Sequence, residues 1–544
     1  MNFKINESEK KLRGSYYTPY WIASFVSRWI KNYNISSVLE PSCGDGVFFE
    51  AISKEVTDRT LSLIGFDTDA SALDYCRQKS FNPNIKLSLY EQDFLAWAIE
   101  NIQSESPQKF DAIVGNPPFV RYQYLEKEQQ ENAQKIFDLL GMKFSKHTNL
   151  WIPFVVSSIE FLVPGGVIGM VIPSELLHVL YAQGLRDYLL SSCSKLLLID
   201  PEDIWFDDTL QGAMLLIAQK KIDSSDKSKV AIIRTKGQDF SKENPFDTFN
   251  NADYISGNTF SKKWTYGLLS KVELEIYEKV CNSKSFFRFH QLADVDVGIV
   301  TGANKFFLVN DDVVNEYSLT DKAHPMFGRS EHCPGIIYDE IQHNLNKLKG
   351  YPSNFLYFDN ENDGIVYSKY LDVGVAQDIH LRYKCRIRTP WYKVPSVFST
   401  PVNMLKRSNG IPRLISNRMN AYTTDTAYRI TPKDNVDSET LVTCFLNSVT
   451  ALSAELEGRF YGGGVLELVP SEIECLAVPY IDGVGKNIES LDESVRKKDL
   501  ESLLENQDKS LFSNIDDIDL KDIDVLRKAL FRLQLRRQRI GSDE

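Results

Sequence analysis

Eight cysteines and seven histidines in 544 residues are few, and they are scattered. No Cys-x-x-Cys pair and no histidine cluster occurs, which excludes a disulfide framework and the common structural zinc sites and implies reduced thiols. Long hydrophobic runs are missing too: none could span a bilayer. The opening Met1-Asn2-Phe3-Lys4-Ile5-Asn6-Glu7 lacks the apolar core of a signal peptide, so a cytoplasmic location is expected. There is no internal repeat, no glycine fingerprint of the dinucleotide-binding type, and no paired-acid and lysine motif of a nuclease. What remains, 43% hydrophobic and 25% charged residues, is the composition of a globular protein, and the length favours two to four domains.

One further absence is local. The formal charge of −12 argues at first against a polyanionic partner, yet from Ile379 to Thr424 there is no Asp or Glu at all. Arg382, Lys384, Arg386, Arg388, Lys393, Lys406, Arg407, Arg413 and Arg418 all fall in that stretch, interleaved with Tyr383, Trp391, Tyr392, Asn403, Asn409 and Asn417. These are the residue types that hold phosphates and read base edges. A solvated basic face is the plainer reading of the same run.

The most informative residues are Asn116-Pro117-Pro118-Phe119, which follow the strand-like run Phe110 to Gly115. An amide beside an aromatic ring suits a planar amino group, whose lone pair is delocalised into its ring and must be drawn toward tetrahedral geometry before it can attack. The side-chain oxygen of Asn116 and the carbonyl of Pro117 offer two acceptors, the diproline fixes φ around them, and Phe119 can stack. Asn is no base, so such a site acts by position and electrostatics. An ordinary Asn-Pro turn after a strand accounts for the same four residues.

Upstream, Ser37 to Glu40 reads as a short strand, and Glu40-Pro41-Ser42-Cys43-Gly44-Asp45-Gly46 as a loop opening a helix. Glycines at 44 and 46 let the backbone approach a ligand, and Glu40 suits an amine better than a phosphate. The next strand ends in Asp67, placed to take ribose hydroxyls as in doubly wound folds, and the third is followed by Asp93-Phe94. Other residues here have plain structural readings: Asp69 caps the helix starting at Ala70, Cys43 is a small buried residue, and Thr18 as N-cap with Pro19 in the first turn begins the helix Tyr20 to Ile30.

In this order the pieces resemble the S-adenosylmethionine-dependent amino-methyltransferases, in particular the gamma-type adenine-N6 DNA methyltransferases of restriction-modification systems. The resemblance starts at Gly14-Ser15-Tyr16-Tyr17-Thr18-Pro19 and runs through Glu40 to Gly46, Asp67, Asp93-Phe94 and Asn116 to Phe119. It extends to Leu162 to Ser174, to Phe206 before a strand at 212–219, and to the glycine-containing stretches Asp296 to Val309 and Phe460 to Pro470. Trp205 competes with Phe206, either aromatic fits a core as well, and the glycines also fit strand turns.

The resemblance implies an α/β fold: a doubly wound, Rossmann-like class I methyltransferase domain over 1–270, finishing in an antiparallel hairpin of 213–218 and 230–234. A mixed, β-rich target-recognition domain over 271–480 and a C-terminal helical segment over 481–544 would follow. S-adenosylmethionine would be held by Thr18, Pro19, Glu40, Pro41, Gly44, Gly46, Asp67, Asp93 and Phe94. Catalysis would fall to Asn116, Pro117, Pro118, Phe119 and Phe206, with no metal. Arg121, Arg382, Lys384, Arg386, Arg388, Trp391, Lys393, Lys406 and Arg407 would meet double-stranded DNA. Residues 124–141, polar and helical with no obvious buried stripe, would form a mobile loop over the target base. The implied activity is site-specific methylation of adenine in duplex DNA with base flipping, as the modification enzyme of a restriction-modification or phage-defence system whose endonuclease is a separate chain. The alternatives are an RNA or protein-glutamine amino-methyltransferase, a cytosine-N4 enzyme, or a non-catalytic DNA-binding subunit.

Overall fold

Strands that are apolar along their whole length become the middle of a sheet covered on both faces. The computed structural model describes residues 18–538 apart from 146–147, 203–204, 206–211, 261–262, 361, 462–463 and 498. Helix α1 (Tyr20–Ile30) leads into β1 (Ser37–Glu40), α2 (Val47–Glu55), β2 (Leu61–Asp67), α3 (Ala70–Gln78), β3 (Ile85–Glu91), α4 (Phe94–Gln103) and β4 (Phe110–Gly115). Then come α5 (Lys127–Leu139), α6 (Trp151–Glu160), β5 (Leu162–Pro173), α7 (Gln183–Ser192), β6 (Cys193–Pro201), β7 (Ala213–Lys220), β8 (Lys229–Thr235) and the short β9 (Ile255–Ser256). The sheet order is β3-β2-β1-β4-β5-β7-β6-β8-β9. Central β4 and β5 are buried almost throughout, whereas edge strand β3 alternates between half-buried and exposed residues.

Strand order reverses between β1 and β4, which lie side by side and parallel, Val38 opposite Ala112 and Leu39 opposite Ile113. The loops leaving their carboxyl ends therefore open into one crevice, the usual ligand position in an open α/β sheet. Asp69 caps α3 through the N–H groups of Ser71 and Ala72, and Asp93 caps α4 through that of Leu95.

Three expectations are corrected here. An antiparallel strand is present, but β7 does not pair with β8. Strand β7 runs antiparallel to both β5 and β6, so both its edges are used, and β8 joins the free edge of β6 in parallel, Leu196 opposite Val230. Within 124–141 the expected helix is present, but it does have a buried stripe: α5 buries Ala133, Ile136 and Phe137, and Phe137 packs edge-on to Phe144. The cap of α1 is Pro19, whose carbonyl accepts from Ile22 N–H at 3.0 Å, and no side chain caps that end.

The chain divides into two compact units between Leu268 and Leu269. In the second, strands Ala293–Val297, Ala427–Pro432, Val402–Leu405, Leu414–Asn417 and Ile337–Tyr338 form a sheet in that order. Helices Ile488–Arg496, Leu500–Phe512 and Leu520–Gln538 belong to this unit. Asp492 accepts the N–H groups of Ile336 and Ile337 at 2.6 and 2.9 Å. Arg537, buried on the last helix, donates to Glu455 at 2.9 Å and to the carbonyls of Asn409 and Gly410 at 3.1 Å. A buried guanidinium needs such complete pairing to offset its desolvation.

Candidate active site

After β1 the backbone turns through Gly44 at φ +50°, and a side chain there would project into open space. The Gly44 N–H donates to Asp67 Oδ2 at 2.8 Å, and the other Asp67 oxygen accepts the Asp69 N–H at 2.9 Å. Each oxygen keeps a lone pair, so Asp67 is fixed in place yet still able to accept from a ligand. Gly46, at φ +77°, starts α2 where a Cβ would fall 2.3 Å from Cys76 Sγ, so only glycine fits. Asp93 uses Oδ1 to cap α4 at 2.9 Å and accepts from Asn132 Nδ2 through Oδ2 at 3.2 Å. The two loops are tied where Ser42 Oγ donates to the Asn116 carbonyl at 3.1 Å.

Between them lies a cleft of about 550 Å³. Of the expected residues it is lined by Pro41, Gly44, Asp67, Asp93, Phe94, Asn116 and Pro118. Phe94 is buried among Phe66, Trp97, Phe154 and Phe161, so one edge of an aromatic cluster forms part of the wall. Sequence reasoning missed Ser42, Thr68, Gln92, Tyr124, Glu126 and Leu150, which also line it. Ser42 sat inside the quoted loop and was legible. Tyr124 falls in the stretch expected over the target base, whereas Leu150 is brought in by tertiary packing, and nothing local marks it.

Thr18, Pro19, Glu40, Gly46, Pro117 and Phe119 are not among the lining residues. Thr18 and Pro19 stand at the start of α1. Pro117 is buried and Phe119 is 8% exposed. Glu40 is 2% exposed, and its Oε2 has no hydrogen-bond partner among the described residues. Burial, then the charges of Asp45 and Asp67, push its carboxyl well above the ordinary range. Such an acid is costly unless a donor or cation meets it. Cys43 is buried and its thiol is pushed far up by the same burial, as an inert core residue is. Phe206 lies outside the described residues; neighbouring Trp205 stacks on Phe240 at 5.6 Å and meets Trp21 edge-on at 5.4 Å. Arg121 is exposed, and its charge acts on buried Glu175, whose carboxylate also accepts from the Tyr181 hydroxyl.

The basic run of the second unit separates into two sets. Arg382, Lys384, Arg386 and Lys393 are exposed and make no ion pair among the described residues. The others have structural partners. Arg388 donates to the carbonyls of Thr301 and Val300 at 2.9 and 2.7 Å. Lys406 and Arg407 both bridge to Glu467, at 3.3 and 2.7 Å. Half-buried Arg413 donates to the Cys333 carbonyl at 2.8 Å, and Arg418 pairs with Glu439 and Glu489. Trp391 packs on Phe306 at 5.4 Å, and Asn403 and Asn417 are buried, bonded to Thr423 and to the carbonyls of Thr400 and Ala421. Base reading by Asn403 or Asn417 is therefore ruled out.

This strand order, with one antiparallel strand inserted between the fifth and sixth, and this cleft at the β1/β4 reversal define a class I methyltransferase domain. Residues 44–205 match the model of the Eco57I restriction-modification methylase, and residues 261–512 match that of the Type II methyltransferase M.Eco57I, C-terminal domain. The chain belongs to the restriction-modification DNA methyltransferases of this type. It is 25% identical over 485 residues to the Type II methyltransferase M.AccI of Acinetobacter calcoaceticus, covering 86% of each chain. To M.HindII of Haemophilus influenzae it is 26% identical over 400 residues, covering 68% of this chain and 71% of that one. Among solved structures, the Type IIL restriction-modification enzyme MmeI in complex with DNA superposes with a TM-score of 0.51 at 12% identity, over 94% of this chain and 73% of that one, a likeness of fold. Among the described residues no helix is long and apolar enough to cross a membrane, and no group of three or more His, Cys, Asp or Glu is arranged to hold a metal ion.

Proposed function

We propose that this chain is a site-specific adenine-N6 DNA methyltransferase that uses S-adenosylmethionine and flips its target base, acting in the cytoplasm as the modification partner of a separately encoded endonuclease. The observation that carries the reading is the meeting of Asn116 and Pro118 with Gly44, Asp67 and Asp93 on one cleft. The donor set fits the cofactor. Asp67 keeps acceptor capacity for ribose hydroxyls, Asp93 for the adenine amine, Gly44 leaves open space beside the loop, and the orphaned Glu40 oxygen is suited to an amine. When bound, S-adenosylmethionine supplies a methyl group on a sulfonium, an electrophile potent enough that the amine need not be deprotonated first.

The work of the protein is then to bind and orient. The target amine lies inside a duplex and must be turned out to be reached. Asn116 Oδ1 and the Pro117 carbonyl take its two N–H bonds, drawing the nitrogen lone pair away from the ring, and Phe119 is assigned to one face of the base. Asn116 removes no proton; the proton leaves to solvent after transfer. Because positive charge is dispersed on the way to the transition state, the apolar wall around Phe94, Leu150 and Phe154 favours the reaction over bulk water.

Asn116→Ala tests the assignment. Cofactor affinity by calorimetry should stay within about threefold of wild type, while methyl transfer to DNA should fall by roughly 100-fold or more, the scale for losing one preorganised polar contact to the reacting group. Near wild-type turnover would remove Asn116 from the mechanism.

A further inference from the structure

Between Leu381 and Arg388 the second unit presents apolar and cationic side chains in alternation. Leu381, Tyr383 and Ile387 are 59%, 63% and 61% exposed, unusual for such residues, and Arg382, Lys384 and Arg386 lie among them, exposed as well. Lys384 Nζ and the Arg386 guanidinium each stand 5.6 Å from the centre of the Tyr383 ring, so two cations accompany an exposed ring.

The segment is firmly mounted. Ile379 and Cys385 are buried beneath it, Arg388 is tied to the carbonyls of Val300 and Thr301, and Trp391 and Tyr392 pack behind. Gly302, at φ +79°, lets the Val300–Asn304 loop come so close that a Cβ there would fall 2.7 Å from Lys384 Cβ. Three apolar side chains are thus kept in solvent by a rigid base instead of collapsing onto the core. That exposure is uncompensated in the free protein.

We propose that Leu381, Tyr383 and Ile387 form a wedge that enters between base pairs of duplex DNA and loosens their stacking, while Arg382, Lys384 and Arg386 hold the flanking phosphates. Charge complementarity names the occupant: the cations are unpaired among the described residues, no acid follows before Asp425, and an apolar tip ringed by positive charge fits a polyanion with a stacked interior. This rests on DNA being the substrate, and it adds a duplex-distorting element outside the methyl-transfer cleft.

The test uses the full chain and a duplex carrying the site it methylates, found by sequencing methylated mixed-sequence DNA. Methyl transfer is compared on the perfect duplex and on versions in which a single mismatch is moved stepwise along the site and its flanks. Tyr383→Ala, and separately the pair Leu381→Ser and Ile387→Ser, should lower kcat/KM on the perfect duplex by roughly tenfold or more, the cost of unstacking a step without help. One mismatch position should restore the rate to within about threefold of wild type. Arg382→Gln, by contrast, should weaken binding alike on every version. An unchanged kcat/KM for both apolar variants, or a loss that no mismatch relieves, would overturn the wedge. Failure of the wild-type chain to methylate DNA at all would instead remove the reading on which the wedge rests.

Discussion

The salt dependence of DNA binding follows from how many cations are free to displace counterions, and here sequence and structure give different numbers. All nine basic residues between Ile379 and Thr424 would steepen the slope of log affinity against log salt by about 8, at roughly 0.9 per phosphate. Only four of them, Arg382, Lys384, Arg386 and Lys393, are exposed and outside any ion pair or carbonyl bond among the described residues, and on the proposed reading they are worth about 3.6. Changing Arg382, Lys384 and Arg386 together to Gln should therefore flatten the slope by about 2.7, so that the penalty of raising salt from 50 to 200 mM shrinks by about 40-fold relative to wild type. Lys406 and Arg407 are already held by Glu467, which is 7% exposed, so changing both to Gln should flatten the slope by less than about 1. That pair should instead destabilise the fold by about 1–3 kcal/mol, because it strands a buried carboxylate. Fluorescence anisotropy of a labelled duplex titrated at several salt concentrations, with urea melts alongside, gives both quantities. Equal flattening by the two variants, or none from the triple change, would refute this division of the basic run.

Two changes outside the cleft lining probe the two ends of the loop after β1. Burial raises the Glu40 carboxyl, so folding takes up a proton, and Glu40 costs stability increasingly as pH rises from its ordinary value of 4.5 through its folded one. Glu40→Gln should accordingly raise the melting temperature of cofactor-free protein at pH 8, remove that pH dependence and weaken cofactor binding; a lower melting temperature at pH 8 would show that the charge is compensated. Gly46→Ala should cost about 2 kcal/mol or more from its left-handed backbone and the Cys76 Sγ contact, and adding Cys76→Ala should recover the contact part but not the backbone part. Urea unfolding of the single and double variants separates the two; full recovery would mean the backbone term is absent.

What the sequence made legible is what local patterns encode. Glu40 and Asp67 end β1 and β2, and Asp93 and Asn116 follow β3 and β4 within two residues, so a loop motif after each of these parallel strands mapped to one edge of the sheet. The helix Tyr20–Ile30 and the Asp69 cap were readable from residue types within one turn. Pairing of β8 was not, because edge choice depends on β5 having already taken one side of β7. Nor were the partners of the basic residues: Glu467 lies about 60 residues from Arg407, and the carbonyls holding Arg388 lie 87 and 88 residues away. The stripe Ala133, Ile136 and Phe137 was present at helical spacing, but its polar neighbours outnumbered it.

Adenine methylation itself is read by incubating the purified chain with S-adenosylmethionine and unmethylated mixed-sequence duplex DNA, digesting the DNA to nucleosides and identifying methylated species by mass. Deoxyadenosine methylated at the exocyclic amine is the expected product. Methylation only of cytosine at its exocyclic amine, or of RNA or protein with DNA left unmodified, would contradict it.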